Sequence, residues 1–351
     1  MSADAVPVDV ARTAFFKHGR LPDAFNHSVL RSWIRCSEMG LDADAHPRVA
    51  PMTAGELRET CERHETLRRL CRPELDALHA EARETGAIVL LTNAEGVILD
   101  AVGDAVFADR AAQVALSPGA AWSEAGAGTN AIGTALAERR GVAVRGAEHY
   151  FVEHKGLTCA AAPIIDPRGA VLGALDMSGA AAVSHAHALG LVRMAVEQIE
   201  HRLFRQPFDG CVVVRFHSDP NLLGAAREGV LVFKDGTLVG ANRRGLSLVG
   251  RSWEALDAAC FEDLFDQDLD ALERRSLLAA RSGERFAATA RFPDEAHGVG
   301  EAIPASTGTL EDAELAAMRR ALAEAGGNVS RAAKRLGVHR STLYRRLLSG
   351  G

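Results

Sequence analysis

The 351-residue sequence predicts an α+β protein. An antiparallel sheet with helices comes first, then a smaller sheet-bearing unit, then an all-α helix-turn-helix at the C-terminus. Three observations carry this. From Gly86 onward, short apolar runs alternate with turn chemistry, as in Ala87-Ile88-Val89-Leu90-Leu91, Asn93-Ala94-Glu95-Gly96 and Val97-Ile98-Leu99. The same hairpin pattern returns at 160–176 and at 229–242. The last 24 residues, Asn328 to Gly351, carry six Lys/Arg and no Asp or Glu, in a chain of formal net charge −6.

Residues 1–60 read as a helical, irregular N-terminal region, with Arg31-Ser32-Trp33-Ile34-Arg35-Cys36 as an amphipathic segment before Pro47 and Pro51 break the pattern. A long helix is predicted from about Gly55 to Glu84, with Leu57, Leu67, Leu70, Leu75 and Leu78 as its apolar points. Pro73 either interrupts it or opens a second helix. Residues 61–205 read as a sensor domain. It holds the hairpin at 87–99, a Gly-rich stretch at Gly126–Gly133, a strand at Val142-Ala143-Val144, the hairpin turning at Asp166-Pro167-Arg168-Gly169, and a closing helix over 184–204. Residues 210–292 read as a small PAS-like α+β unit around the hairpin that turns at Lys234-Asp235-Gly236, with further strands expected at Cys211–Phe216 and 285–292. Residues 293–308, rich in Pro, Gly, Ser and Thr, read as a linker.

Residues 309–351 read as the helix-turn-helix domain. Thr309 and Asp312 form a helix-start pattern, followed by the stripe Leu315, Met318, Leu322 and a stop at Gly326-Gly327. Asn328 caps the next helix, whose Val329, Ala332, Ala333 and Leu336 fall at i, i+3, i+4, i+7. Gly337 suits the left-handed turn that ends it. Leu343 and Leu347 then face inward, while His339, Arg340, Ser341, Thr342, Tyr344, Arg345 and Arg346 are the candidate DNA contacts. A basic hairpin that only packs on the body is the competing reading.

Hydrophobic residues make up 47% and charged residues 25%, which places the chain among globular proteins. No apolar run approaches a membrane span, and no secretory n-region is visible, so a cytoplasmic protein is expected. The six cysteines are scattered without a C-x-x-C pair, which suits reduced thiols rather than a disulfide framework or a zinc finger. Residues 309–351 carry a net +4 and the remainder −10, so a basic tip sits on an acidic body.

Residues 118–179 resemble the sensor of the acetoin-catabolism regulator family, relatives of the sigma-54 enhancer-binding activators. The resemblance is carried by Pro118-Gly119, Trp122-Ser123-Glu124, Gly128-Thr129-Asn130-Ala131-Ile132-Gly133-Thr134-Ala135-Leu136, Val144-Arg145-Gly146-Ala147-Glu148-His149, Thr158-Cys159, Ala161-Ala162-Pro163-Ile164 and Leu175-Asp176-Met177-Ser178-Gly179. Ser32-Trp33-Ile34-Arg35-Cys36 with Gly40-Leu41-Asp42 is similar to the family's N-terminal signature. The resemblance covers roughly residues 25–205 and 309–351. It implies a GAF sensor fold and a Fis-type helix-turn-helix. Leu157 and Ala160 depart from it, standing where many relatives have Trp and Ser. Such activators also carry an ATPase module between sensor and DNA-binding tip. Here no Gly-Lys pair occurs anywhere, so the phosphate loop is missing, and the sigma-contacting Gly-Ala-Phe-Thr-Gly-Ala loop is missing too.

Gly126–Gly133 superficially suggests a nucleotide site, but a loop precedes it rather than the buried strand of a βαβ unit. It reads instead as a loop and helix start bordering a sensor cavity lined by Trp122, Asn130, Thr134, His149 and Cys159. An equal alternative is that Asn130 and Thr129 only cap a helix and Trp122 only packs. The pairs His149/His154 and His185/His187 lack the accompanying ligands of a metal site, so structural or solvated histidines are expected. Cys159 is expected to be a buried thiol rather than a redox sensor. No cofactor is implied.

The sequence thus reads as a non-enzymatic, ligand-responsive regulator that binds double-stranded DNA as a homodimer and takes an uncharged small-molecule effector. A constitutive DNA-binding antagonist or co-regulator of a sigma-54 system, its GAF fold mainly serving dimerisation and its partner RNA polymerase or a full-length activator, is the nearest alternative. A GAF-fold enzyme using Cys159 as its thiol is a more distant one.

Overall fold

Two antiparallel five-stranded sheets organise the residues that the computed structural model describes, which are 7–22, 25–103, 115–183, 187–273 and 276–293. The expected linker from 294 onward and the expected helix-turn-helix at 309–351 lie outside these residues. None of the described helices is long and apolar enough to cross a membrane.

The first sheet runs in the order β2-β1-β5-β4-β3. Its strands are β1 (Ile88–Asn93), β2 (Ile98–Val102), β3 (Val142–Arg145), β4 (Leu157–Ile165) and β5 (Val171–Ala180). Alternation along each strand divides the side chains between two cores. On one face Val89, Leu91, Ala160, Ala162, Ile164, Leu175 and Met177 pack under helices α4 (Glu65–Ala82) and α7 (Ala188–Leu203). On the other face Ile88, Leu90, Leu157, Cys159, Ala161 and Ala174 meet Trp33, Trp122, Ile132, Tyr150 and Phe151. These come from α2 (His27–Glu38), α6 (Ala131–Glu138) and the loops beside them. With both faces covered, all nine residues of β4 are buried. That is why the segment reads as a continuous apolar run instead of an alternating one.

The helix predicted over 55–84 is in fact two. α3 (Ala54–Arg63) starts at a Thr53–Glu56 capping box and ends where His64 leaves helical geometry (φ −104°, ψ 17°). Pro73 neither interrupts nor opens a helix but sits inside α4. The apolar face of α4, with Leu67, Cys71, Leu75 and Leu78 all in the core, holds it against the sheet despite the lost backbone hydrogen bond.

The second sheet runs β8-β7-β6-β10-β9, with β6 (Val212–His217), β7 (Gly229–Lys234), β8 (Thr237–Ala241), β9 (Leu277–Ala279) and β10 (Arg285–Arg291). Asp235 (φ 50°) and Gly236 (φ 79°) make the two-residue turn of the β7–β8 hairpin, both on the left-handed side as its twist demands. Helices α8 (Arg243–Leu248) and α9 (Phe261–Leu264) close a core built on Phe216, Phe233, Phe261, Phe265 and Phe286. This unit docks on the turn between β4 and β5. Ala241 N donates to Pro167 O at 2.9 Å, and Arg168 pairs with Asp257 at 3.0 Å. Gly169 (φ +83°) lies so near Trp253 that a Cβ would come within 2.9 Å of the ring.

Trp33 anchors α2 on the sheet. It is fully buried among Phe15, Phe16 and Phe25 and donates from Nε1 to Glu148 O at 2.8 Å. Trp33→Ala is expected to cost about 3–5 kcal/mol in urea unfolding, whereas Met194→Ala, at a 53% exposed position, should stay within about 0.5 kcal/mol of the parent. Equal effects at the two positions would contradict the placement of α2.

Candidate functional site

A cluster of buried polar groups lies on the sheet face that carries Cys159 and Ala161. α2 reaches it through a buried network. Ser32 Oγ donates to Glu124 Oε1 at 2.6 Å, lies 2.8 Å from Thr129 Oγ1 and accepts from Thr134 Oγ1 at 3.1 Å. Arg35 binds both carboxylate oxygens of Glu124 at 2.7 Å and Glu138 at 2.6 Å. The Ser32–Cys36 signature therefore joins α2 to α5 (Glu124–Ala127) and α6. Thr134, expected in the pocket, belongs to this network. Asn130 caps α6, accepting from Gly133 N at 2.8 Å and donating to Gly128 O at 2.8 Å. Two glycines of the Gly-rich stretch serve packing. A Cβ at Gly128 would lie 2.6 Å from Tyr150 Cβ, and one at Gly133 would lie 2.7 Å from Glu124 N.

The N-terminal α1 (Val8–Arg12) sends a buried guanidinium into the loop that follows β3. Arg12 donates to His149 O at 2.7 Å and Tyr150 O at 2.6 Å, and lies over the Phe16 ring. Burial lowers its pKa, with Asp44 acting in the opposite direction. The segment it fixes presents His149, which is fully buried. His149 Nδ1 donates to Gly146 O at 3.0 Å, while Nε2 has no hydrogen-bond partner. Desolvation pushes its pKa down to about 3, so the ring is neutral with a bare acceptor nitrogen. His154 stacks on Trp122 with ring centroids 4.8 Å apart and lies 6.2 Å from His149. Burial lowers its pKa to about 4. The Glu153 charge, and then Ala127 O, pull that pKa the other way, yet neither ring nitrogen makes a well-formed hydrogen bond. Of the two alternatives read from the sequence, structural or solvated, His149 and His154 take the structural one, and His185 lies outside the described residues. Among the described residues no group of three or more His, Cys, Asp or Glu could hold a metal ion.

Across the sheet, Asp176 and Ser178 alternate with the opposite-facing Leu175 and Met177, and so turn toward Cys159. Cys159 pairs in register with Ser178. Asp176 is fully buried. Its Oδ2 accepts from Ser178 Oγ at 2.6 Å and its Oδ1 has no partner. Burial raises its pKa to about 7, against the pull of Ser178. Burial, and then the Asp176 charge, push the Cys159 thiol well up, so it is not a thiolate at neutral pH. Trp122 is buried with Nε1 donating to Ala115 O at 2.9 Å.

All five residues expected in the pocket are therefore buried on one side of the sheet. Asn130 and Thr134 are occupied by local hydrogen bonds, while Trp122, His149 and Cys159 face the apolar core beside the unpaired polar atoms. The expected pocket did not include Asp176 or His154, although the sequence reading named both in other roles. A charged Asp alternating with apolar residues in an otherwise buried strand was a usable signal. Arg12 had none. None of the five lines the cleft of about 610 Å³ between α7 and the second sheet. The residues expected to contact DNA, between His339 and Arg346, lie outside the described residues.

Residues 4–201 match the family described as MimR, N-terminal domain, which is more than half of the chain. The chain belongs to that family. Residues 309–348 of this MimR-type chain match "Bacterial regulatory protein, Fis family", so it carries a Fis-type helix-turn-helix of transcription regulators. Among curated relatives it is 33% identical over 75% of its length to the acetoin catabolism regulatory protein of Cupriavidus necator. It is 32% identical over 57% to the acetoin dehydrogenase operon activator AcoR of Bacillus subtilis. It is 36% identical over 55% to the propane 2-monooxygenase operon activator MimR of Mycolicibacterium smegmatis. The matches span 43%, 33% and 32% of those proteins, so the chain covers less than half of each.

The titrations give opposing pH dependences. Asp176 holds its proton more tightly folded than unfolded, so its contribution favours the fold at low pH and is lost as pH rises from about 4 through about 7. His149 and His154 are held neutral, so their contribution is present above about 6.5 and is lost as pH falls toward about 4. Asp176→Asn removes only the first. Relative to the parent, the melting temperature of the variant should rise from about pH 5 and level off above about pH 7. A difference that stays flat over that range would contradict the burial of Asp176.

Proposed function

We propose that the chain is a ligand-responsive transcriptional regulator. Residues 61–205 act as a GAF-like sensor, 210–292 as a PAS-like unit, and 309–351 as the DNA reader joined by the linker at 293–308. The reading rests above all on one observation, the Fis-family match at 309–348 behind a MimR-type N-terminal part. The effector is a small uncharged molecule held on the face of Trp122, His149, Cys159 and Asp176. Three features support this. Buried polar atoms there lack partners, which disfavours an empty apolar role. A carboxyl near neutrality and a bare imidazole nitrogen can serve a hydroxyl or carbonyl group. The nearby cation, Arg12, is engaged by backbone carbonyls and so is not free to hold an anion. The relatives are named for acetoin and propane metabolism, and both are small neutral molecules.

A thiol-enzyme role for Cys159 is disfavoured by its burial and raised pKa. The absent Gly-Lys pair supports a chain without ATP-driven remodelling of its own. It also supports the second reading, a co-regulator beside RNA polymerase or a full-length activator. Purified full-length protein should therefore hydrolyse ATP no faster than a buffer control. A specific rate abolished by a point substitution would refute this.

DNA is read by a homodimer, because a lone two-helix reader offers little contact area. Half-sites should lie about one helical turn (~34 Å) apart. Arg340 opens the second helix and can take guanine O6 and N7 together. Arg340→Ala should cost roughly 1–3 kcal/mol and relax preference at one base, whereas Arg346→Ala should weaken all sites alike and lower the salt slope. Competition binding across site variants separates the two. Unchanged site preference in Arg340→Ala would overturn the register of the recognition helix.

A further inference from the structure

The cleft of about 610 Å³ lies where Arg140, Gly141 and α7 of the first unit meet β6 and α8 of the second. Its size is that of a small-molecule site. Five arginines line it (140, 193, 227, 243 and 244) against Glu197 and Glu200. Arg243 is engaged by Glu200 at 2.7 Å, and Glu200 also accepts from Ile165 N at 2.8 Å. Arg227 stands 3.7 Å from Glu197.

The other three have no carboxylate partner among the described residues. Arg140 donates to Ser28 Oγ at 3.1 Å, and Arg193 to Gly141 O at 3.2 Å. Gly141 leaves room for Arg193, since a Cβ there would lie 2.7 Å from its Nε. Arg244 Nη2 lies 3.4 Å from Nε2 of the buried His217. His217 Nδ1 accepts from Asp219 N at 3.0 Å, so the ring's N–H is the one at Nε2. Two donors thus stand side by side with no acceptor between them. An anionic oxygen supplies what both lack, and charge-assisted bonds to guanidinium groups are the strong kind.

We propose that this cleft binds a small organic anion, a carboxylate or a phosphate ester, through Arg140, Arg193, Arg244 and His217. The first two belong to one sheet unit and the last two to the other, so the ligand bridges them and fixes their arrangement. The site is separate from the face of Trp122 and Asp176 and does not rest on the uncharged-effector reading.

Calorimetric titration and thermal shift of the full-length protein at constant ionic strength test this. Citrate, glycerol 3-phosphate and inorganic phosphate serve as probes, with glycerol and chloride as controls. Citrate or glycerol 3-phosphate should bind saturably and raise the melting temperature, and the controls should not. The responding probe distinguishes carboxylate from phosphate ester. Arg193→Gln/Arg244→Gln, at two exposed positions, should weaken that binding at least about tenfold. If the double variant melts early without ligand, Arg140→Gln carries the same comparison. Failure of both organic anions to bind saturably, a response to inorganic phosphate alone, or undiminished binding by the variants would overturn the proposal.

Discussion

Burial of the first sheet on both faces is the constraint on which the rest of this structure depends. β4 has no residue open to solvent, and β5 is buried through most of its length. Any polar side chain on these strands must find a partner inside the protein or remain unsatisfied. Ser178 satisfies one oxygen of Asp176, and the other is left without a partner. The helices that cover this face are held by polar contacts as well as apolar ones. Arg35 and Ser32 secure α2 through Glu124, and Arg12 secures the loop bearing His149 and Tyr150. The cover is thus pinned around its edges, while unpaired nitrogen and oxygen atoms remain at its centre.

The same burial explains what could be read from the sequence. The hairpins at 87–99, 160–176 and 229–242 were legible because Gly, Asn, Asp and Pro mark their turns between apolar runs. The strand order was not, since register across a sheet depends on pairings between residues far apart in the chain. The helix break at His64 carried no Gly or Pro to announce it, and Pro73 gave a false signal because tertiary packing outweighed local preference. At the candidate site, sequence patterns singled out Trp122, Asn130, Thr134, His149 and Cys159 but could not tell which were already committed to local hydrogen bonds. That distinction depends on which hydrogen bonds are already made, as Asn130 illustrates. Arg12 lies more than 130 positions from the carbonyls it binds, so no local pattern points to it.

Charge is distributed to match two different tasks. The face of Asp176 and His149 is neutral or anionic in character, with the Arg12 guanidinium turned onto carbonyls and Arg35 paired with Glu124 and Glu138. The cleft between the two sheets has an excess of guanidinium groups. The C-terminal segment concentrates positive charge again, on an otherwise acidic chain. These differences fit the three proposed ligands, a neutral molecule on the first face and anions at the other two regions, and β8 docks on the β4–β5 turn, directly beside the strands that carry Cys159 and Asp176.

The central claim is that a neutral small molecule is taken up on the buried face of β4 and β5. Hydrogen–deuterium exchange of the full-length protein, with and without a saturating four-carbon hydroxyketone, tests it most directly. The account predicts slowed exchange in the 146–154 segment and at 174–178, with the cleft-lining end of α7 unchanged. Exchange that is unaltered in both segments, or protected only around α7, would contradict it.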